Sequence, residues 1–174
     1  MSTMFLGIVI FLILLAIFDL FVGVSNDAVN FMSSAVGAKV ASFRTIIIIA
    51  SIGVFAGAAM SNGMMDIARH GIMVPMHFSF YDVITLFLAV MVTDVVLLDI
   101  FNTMGLPTST TVSMVFELLG GTCALALIKI AGGATDAAGV PLSLGDLVNT
   151  EKAISVILGI FLSVAIAFIL GSLV

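Results

Sequence analysis

An acidic residue flanked by amides stands at the end of a long apolar segment, within the run 23–30. Asn26 and Asn30 are four residues apart and Asp27 comes three before Asn30, so a helix would place them on roughly one face. A central Asp costs roughly 2.5–3.5 kcal/mol on membrane-insertion scales. An intramembrane carboxylate with hydrogen-bonding neighbours is therefore a candidate binding site.

Two local structures are compatible with this first polar cluster. Gly23 and Ser25 weaken a helix just ahead of it, which favours a broken helix whose backbone lines a cavity or is buried in protein. Alternatively, the cluster ends the first span at the membrane interface, and Asn26 or Asp27 caps a short following helix. The cluster alone leaves both readings open.

A second polar cluster occupies residues 105–113. Pro107 suits the first turn of a helix, and hydroxyl groups follow at Ser109, Thr110 and Thr111. A helix that begins here presents free backbone N–H groups, a positive dipole end and hydroxyl donors, which together form a ready anion site. An ordinary capped helix after a loop is the alternative for this stretch taken by itself.

The composition places both clusters in a membrane protein. The chain is 62% hydrophobic and 9% charged, against about 25% charged residues in soluble domains, and its mean hydropathy is +1.39. A net charge of -5 argues against a nucleic-acid partner. The single Cys123 cannot form an intrachain disulfide.

Apolar stretches near the length of about 20 residues that a spanning helix needs occur five times. We therefore predict an all-α polytopic membrane protein with about five transmembrane helices and broken or re-entrant segments at the polar clusters. An odd number of spans means that a second, appended copy would be inserted upside down, as in inverted-repeat transporters. The predicted spans are 4–24, 44–60, 83–101, 110–130 and 153–174.

Two polar connections separate these spans. Residues 61–82 are predicted to form an interfacial helix or loop, and residues 132–151 a polar loop rich in glycine. His70 and His77 in the first connection are not expected to bind a metal, because Pro75 interrupts any helix that would align them.

The two clusters resemble the signatures of the inorganic phosphate transporter (PiT) family. Residues 23–30 are similar to its Gly-Ala-Asn-Asp-x-Ala-Asn motif, and residues 105–111 to its Gly-Leu-Pro-x-Ser-Thr-Thr motif. Residues 36–40 match the usual connection to the next helix, and the resemblance covers about 18–130. Family members commonly have His after the Ser-Thr-Thr triplet, whereas this chain has Val112.

The resemblance implies phosphate uptake coupled to sodium or protons by alternating access, and not an enzyme. It implies no cofactor beyond the coupling ion, and it suggests an integral protein of a bacterial inner (plasma) membrane. A sodium ion is expected beside Asp27. The implied phosphate-binding residues are Asn26, Asp27, Asn30, Ser109, Thr110 and Thr111.

The carboxylates also fit this chemistry. Phosphate still carries a proton at neutral pH, so Asp27 can accept its hydrogen bond, whereas sulfate has no such proton. Further acids occur at Asp19, Asp94, Asp99 and Glu117, and each could face a water-filled cavity or bind a coupling cation. For Asp99, a position near the membrane interface is an equally good explanation. The coupling-ion candidates are Asp27, Asn30, Asp94 and Glu117.

PiT proteins usually contain the Asn-Asp motif twice, whereas this chain has it once. We therefore expect residues 1–174 to form a single transmembrane domain that corresponds to one repeat, the N-terminal half. A second half, or a homo-oligomer of opposite topology, is expected to complete the site. The alternative is a non-transporting membrane subunit that packs with a partner through small residues such as Gly53 and Gly57.

Overall fold

The computed structural model describes residues 3–61 and 71–173, and its long elements are α-helices. Between these helices, the described ranges also contain a 3₁₀ turn, Pro75–His77, and two isolated β-bridges. The prediction of an all-α fold is confirmed. The helices are α1 (Thr3–Gly37), α2 (Phe43–Ala59), α3 (Phe80–Met104), α4 (Thr110–Ala131), α5 (Leu144–Leu147) and α6 (Thr150–Leu173).

The helices divide by length into candidate membrane spans and shorter elements. Within the described ranges, α1, α3, α4 and α6 are long and apolar enough to cross a membrane, while α2 is apolar but only 17 residues long. The five predicted spans therefore correspond to four long helices and one short helix. The protein is a polytopic membrane protein.

Helix α1 runs without a break through the first polar cluster. It contains 35 residues, which corresponds to about 52 Å and exceeds the hydrocarbon core of about 30 Å. The predicted break at residues 23–30 is wrong, and so is the alternative in which Asn26 or Asp27 caps a new helix. The Ser25 hydroxyl donates to the Phe21 carbonyl at 2.7 Å, so its polar group is satisfied within the helix.

A five-residue connection, 105–109, joins α3 to α4. It begins with a Schellman turn, in which Gly105 has a φ of 68° and the Leu106 N–H donates to the Phe101 carbonyl at 2.9 Å. Ser109 then accepts a hydrogen bond of 3.4 Å from the Val112 N–H and caps α4. Pro107 consequently lies before the helix and not in its first turn, contrary to the prediction.

The chain divides into two compact units, which we describe separately. The first combines the described residues of 1–65 with residues 87–117, and it contains both polar clusters. The second combines the described residues of 66–86 and 118–174.

The core of the second unit joins the segment before α3 to the segment before α6. Met73 forms an antiparallel bridge with Val148, and the Asn149 N–H donates to the Ile72 carbonyl at 2.8 Å. Leu147 is fully buried there. These contacts order a connection that has little regular secondary structure of its own.

The second unit also contains the predicted connection 132–151, which is a loop with one short helix, α5. The Ser143 hydroxyl and N–H donate to Asp146 at 2.6 and 2.8 Å, and these hydrogen bonds hold the pKa of Asp146 below its ordinary value. Residues 62–70 of the other predicted connection, including His70, lie outside the described residues.

Candidate functional site

Asn26 joins α1 to the connection between α3 and α4. Its side chain is only 2% exposed, and its Nδ2 donates to Asn102 Oδ1 at 2.8 Å and to the Leu106 carbonyl at 3.5 Å. Its Oδ1 accepts from the Thr108 N–H at 2.8 Å. Both the amide nitrogen and the amide oxygen of Asn26 are therefore hydrogen-bonded within the protein. Asn26 thus holds the connection 105–109 against α1.

Asn102, in the last turns of α3, completes this contact and was not predicted as a site residue. Its Nδ2 donates to the Val22 carbonyl at 3.0 Å, while its Oδ1 accepts from Asn26. The sequence does contain a signal for it, since Asn102 stands three residues before Gly105, where the second motif begins.

Asp27 contacts the first residue of α4. The Thr110 hydroxyl donates to Asp27 Oδ2 at 2.6 Å, and this bond connects the two polar clusters directly. Gly23, one turn earlier, packs against the same residue, since a Cβ there would be in ordinary van der Waals contact with Thr110 Cγ2 at 3.5 Å. The carboxylate of α1 thus lies at the N-terminus of α4.

The remaining predicted residues surround this N-terminus. Asn30 is exposed, and its Nδ2 donates to the Thr108 carbonyl at 2.9 Å. Ser109 and Thr111 are also exposed residues. The structure therefore brings all six predicted phosphate-binding residues together, with Asn26 engaged internally and the other five grouped around the start of α4.

Two cavities adjoin this group of residues. One has a volume of about 100 Å³ and is lined by Asn26, Asn102 and the backbone region of Gly105. The other has a volume of about 160 Å³, and Asp27 and Thr110 form part of its wall. Asp19 and Asp94 also line the second cavity, so it carries acidic groups from two helices.

The start of α4 has the chemistry of an anion site beside an acid. Its first N–H groups have no acceptor within the helix, and the dipole end is positive. An anion bound there would lie next to the Asp27 carboxylate, and two adjacent negative charges repel each other. Binding is favoured when the anion itself carries a proton or when a cation accompanies it.

The additional acids have different environments. Asp94 is buried, with 1% of its surface exposed, whereas Asp99 is exposed on the same helix. Glu117 accepts a hydrogen bond of 3.0 Å from the Ser113 hydroxyl. Among the described side chains, no group of three His, Cys, Asp or Glu has a geometry that would hold a metal ion, and the sodium expected at Asp27 stays a prediction.

Comparison with known proteins gave one match. The model of a family described as the phosphate transporter family matches residues 23–174, which is most of the chain and includes both polar clusters. Searches of curated proteins and of solved structures found no match.

Proposed function

Because the chain belongs to the phosphate transporter family, we propose that it carries inorganic phosphate across a membrane together with a coupling cation, as one half of an inverted-repeat transporter. The observation that supports this most directly is the Thr110–Asp27 hydrogen bond of 2.6 Å. With this bond, a helix end whose free N–H groups suit an anion lies beside a carboxylate that can accept the proton of phosphate. A bacterial inner membrane is the proposed location.

In the proposed site, phosphate oxygens accept hydrogen bonds from the start of α4. The hydroxyls of Ser109 and Thr111 and the adjacent backbone N–H groups are the donors, while the Thr110 hydroxyl donates to Asp27 and positions that carboxylate. Asp27 accepts the hydrogen bond of the phosphate proton, and Asn30 contributes its exposed amide. Asn26 acts differently, because its amide is already engaged and serves to hold the connection in place.

The coupling cation, sodium or a proton, offsets the negative charge that phosphate and Asp27 share. Without a cation, the bound phosphate and the adjacent Asp27 carboxylate would repel each other and destabilise the bound state. Phosphate and cation then enter and leave together, which is the requirement for symport. Asp27 and Asn30 are the proposed cation contacts at the phosphate itself.

Uptake of radiolabelled phosphate into proteoliposomes tests this function, with the matching half supplied where a separate chain provides it. Asp27→Ala and Thr110→Ala should each reduce uptake at least about tenfold, which corresponds to roughly 1.4 kcal/mol. Asp99→Ala is the matched control, because Asp99 is an exposed acid in the same unit. Wild-type rates in both site variants would contradict the assignment. Absent uptake with specific copurification of another membrane protein would favour the non-transporting subunit.

The second half is proposed to have the opposite orientation, as inverted repeats require. The single Cys123 makes this measurable. In a Cys123→Ala background, Ala137→Cys adds a thiol at an exposed position of the loop 132–151. With a membrane-impermeant maleimide on intact cells, two oppositely inserted copies give labelling of about half of the chains. Complete or absent labelling shows a single orientation, so that a second copy of this sequence is not the other half.

A further inference from the structure

Three carboxyl groups that the phosphate site does not use lie near the middle of three helices in the first unit. Asp19 is in α1, Asp94 in α3 and Glu117 in α4, each within about four residues of the midpoint of its helix. Asp19 and Asp94 line the same cavity of about 160 Å³. Glu117 is close enough to both for their charges to interact. The three acids therefore form one group, the acidic cluster.

The acidic cluster contains buried oxygen atoms that lack hydrogen-bond partners. Asp94 is 1% exposed, and its Oδ1 has no partner among the described residues. The same holds for Asp19 Oδ1 and for Glu117 Oε2. An isolated buried carboxylate is costly, so groups in this position are either neutralised or paired with a positive charge.

No basic side chain supplies that charge within the part of the chain that the structure describes. The further charged group facing the cluster is Asp27, which is also acidic and lines the same cavity. On α2, the charged residue is Arg44, in the exposed first turn. Lys129 belongs to the second unit and is paired with Asp82 at 2.8 Å. Buried carboxyl groups without a cationic partner are neutralised by taking up protons, so protons are the neutralising charge that fits.

We propose that Asp19, Asp94 and Glu117 bind the proton that is coupled to phosphate movement. The inference rests on the proposed function and identifies its coupling ion. A carboxylate oxygen takes a proton from hydronium when the site faces one side of the membrane, and it returns the proton to water on the other side. Asp94 is the central member, since its side chain is the most deeply buried of the three. The shared cavity reaches Asp27, so occupancy of the cluster changes the charge that phosphate meets.

The test measures phosphate uptake and proton entry in the same proteoliposomes. The full chain is reconstituted with its matching half, and a pH-sensitive dye inside the vesicles reports protons. In the wild type, phosphate addition should acidify the interior. Lowering the external pH should raise uptake by up to about tenfold per pH unit, which is the limit for one coupled proton. Sodium at constant ionic strength should change uptake less than about twofold.

Neutral isosteres separate proton binding from phosphate binding. Asp94→Asn and Glu117→Gln should abolish phosphate-dependent acidification and flatten the pH profile, while phosphate still raises the thermal stability of the detergent-solubilised protein. Asp99→Asn should keep the wild-type profile, because Asp99 is exposed on α3. This control also accounts for the titration of phosphate itself. Glu117→Gln covers the case in which the Asn variant at position 94 fails to fold, since Glu117 is less deeply buried than Asp94.

The two proposals fail in different ways. Phosphate uptake that requires sodium and brings no acidification would overturn proton binding by the acidic cluster, while phosphate transport would stand. Wild-type acidification in both isosteric variants would overturn it as well. A wild-type protein with neither uptake nor phosphate-dependent stabilisation would instead contradict the proposed function.

Discussion

The hydroxyl of Thr110 donates a hydrogen bond of 2.6 Å to Oδ2 of Asp27, although the two residues are 83 positions apart in the chain. This bond joins the second half of a long helix to the first residue of another helix. It turns two separate polar motifs into one site.

The Thr110 hydroxyl should be required for phosphate uptake because it positions Asp27. Thr110→Val keeps the shape of the side chain but removes the donor, and it should reduce the initial rate of uptake by about tenfold or more. Thr110→Ser retains the donor and should stay within about threefold of wild type. Equal rates for the Val and Ser variants would show that shape, and not the hydrogen bond, matters at this position.

Asn26 should contribute to stability because three hydrogen bonds depend on its buried amide. Hydrogen bonds between membrane helices average about 0.6 kcal/mol, so Asn26→Ala should lower the free energy of unfolding by about 2 kcal/mol. Asn30→Ala removes a single bond at an exposed position and should cost less than about 1 kcal/mol. Denaturant unfolding in mixed micelles measures both values. A larger loss for Asn30→Ala would contradict the structural role given to Asn26.

Substitution of Gly105 should destabilise the protein because of its backbone conformation. Its φ of 68° is left-handed, so Gly105→Ala should destabilise the protein by about 1 kcal/mol. Gly120, inside α4, also has open space around a new Cβ but a helical backbone, so Gly120→Ala should stabilise by about 0.5–1 kcal/mol. Thermal unfolding of the two variants should therefore shift in opposite directions, and shifts of the same sign would argue against the turn.

Lys129 and Asp82 should be energetically coupled in the second unit. Their charged atoms lie 2.8 Å apart with side chains 23% and 20% exposed, and the ammonium also lies 5.4 Å from the centre of the Phe78 ring. A double-mutant cycle of Lys129→Met and Asp82→Asn measures this coupling. The double variant should lose about 1 kcal/mol less free energy of unfolding than the two single variants lose together.

Lys152 provides the reference for that cycle. It is exposed in the first turn of α6, so Lys152→Met should change the free energy of unfolding by less than about 0.5 kcal/mol. Additive effects of the Lys129 and Asp82 substitutions would indicate that the observed ion pair does not stabilise the protein.

The helix ends show where the local sequence is sufficient to predict a helix boundary. The fourth predicted span, 110–130, corresponds closely to Thr110–Ala131, because a polar capping residue precedes a long apolar run. The first span was predicted to end at Val24, whereas α1 continues to Gly37. Local propensity was overridden there, since Gly23 packs against Thr110 and Leu98 and the polar side chains that follow find partners elsewhere in the chain.

The long apolar runs of the sequence establish that the chain spans a membrane, because lipid requires such runs, and the two polar clusters can be located within them. The partners of those polar groups became known from the packing of the helices. Asn26 is engaged by Asn102 and Thr108, and Asp27 by Thr110. This packing likewise gathered acids from three helices into one cluster. Each of these pairings depends on the angle and depth at which distant helices pack, and no rule of local spacing contains that information.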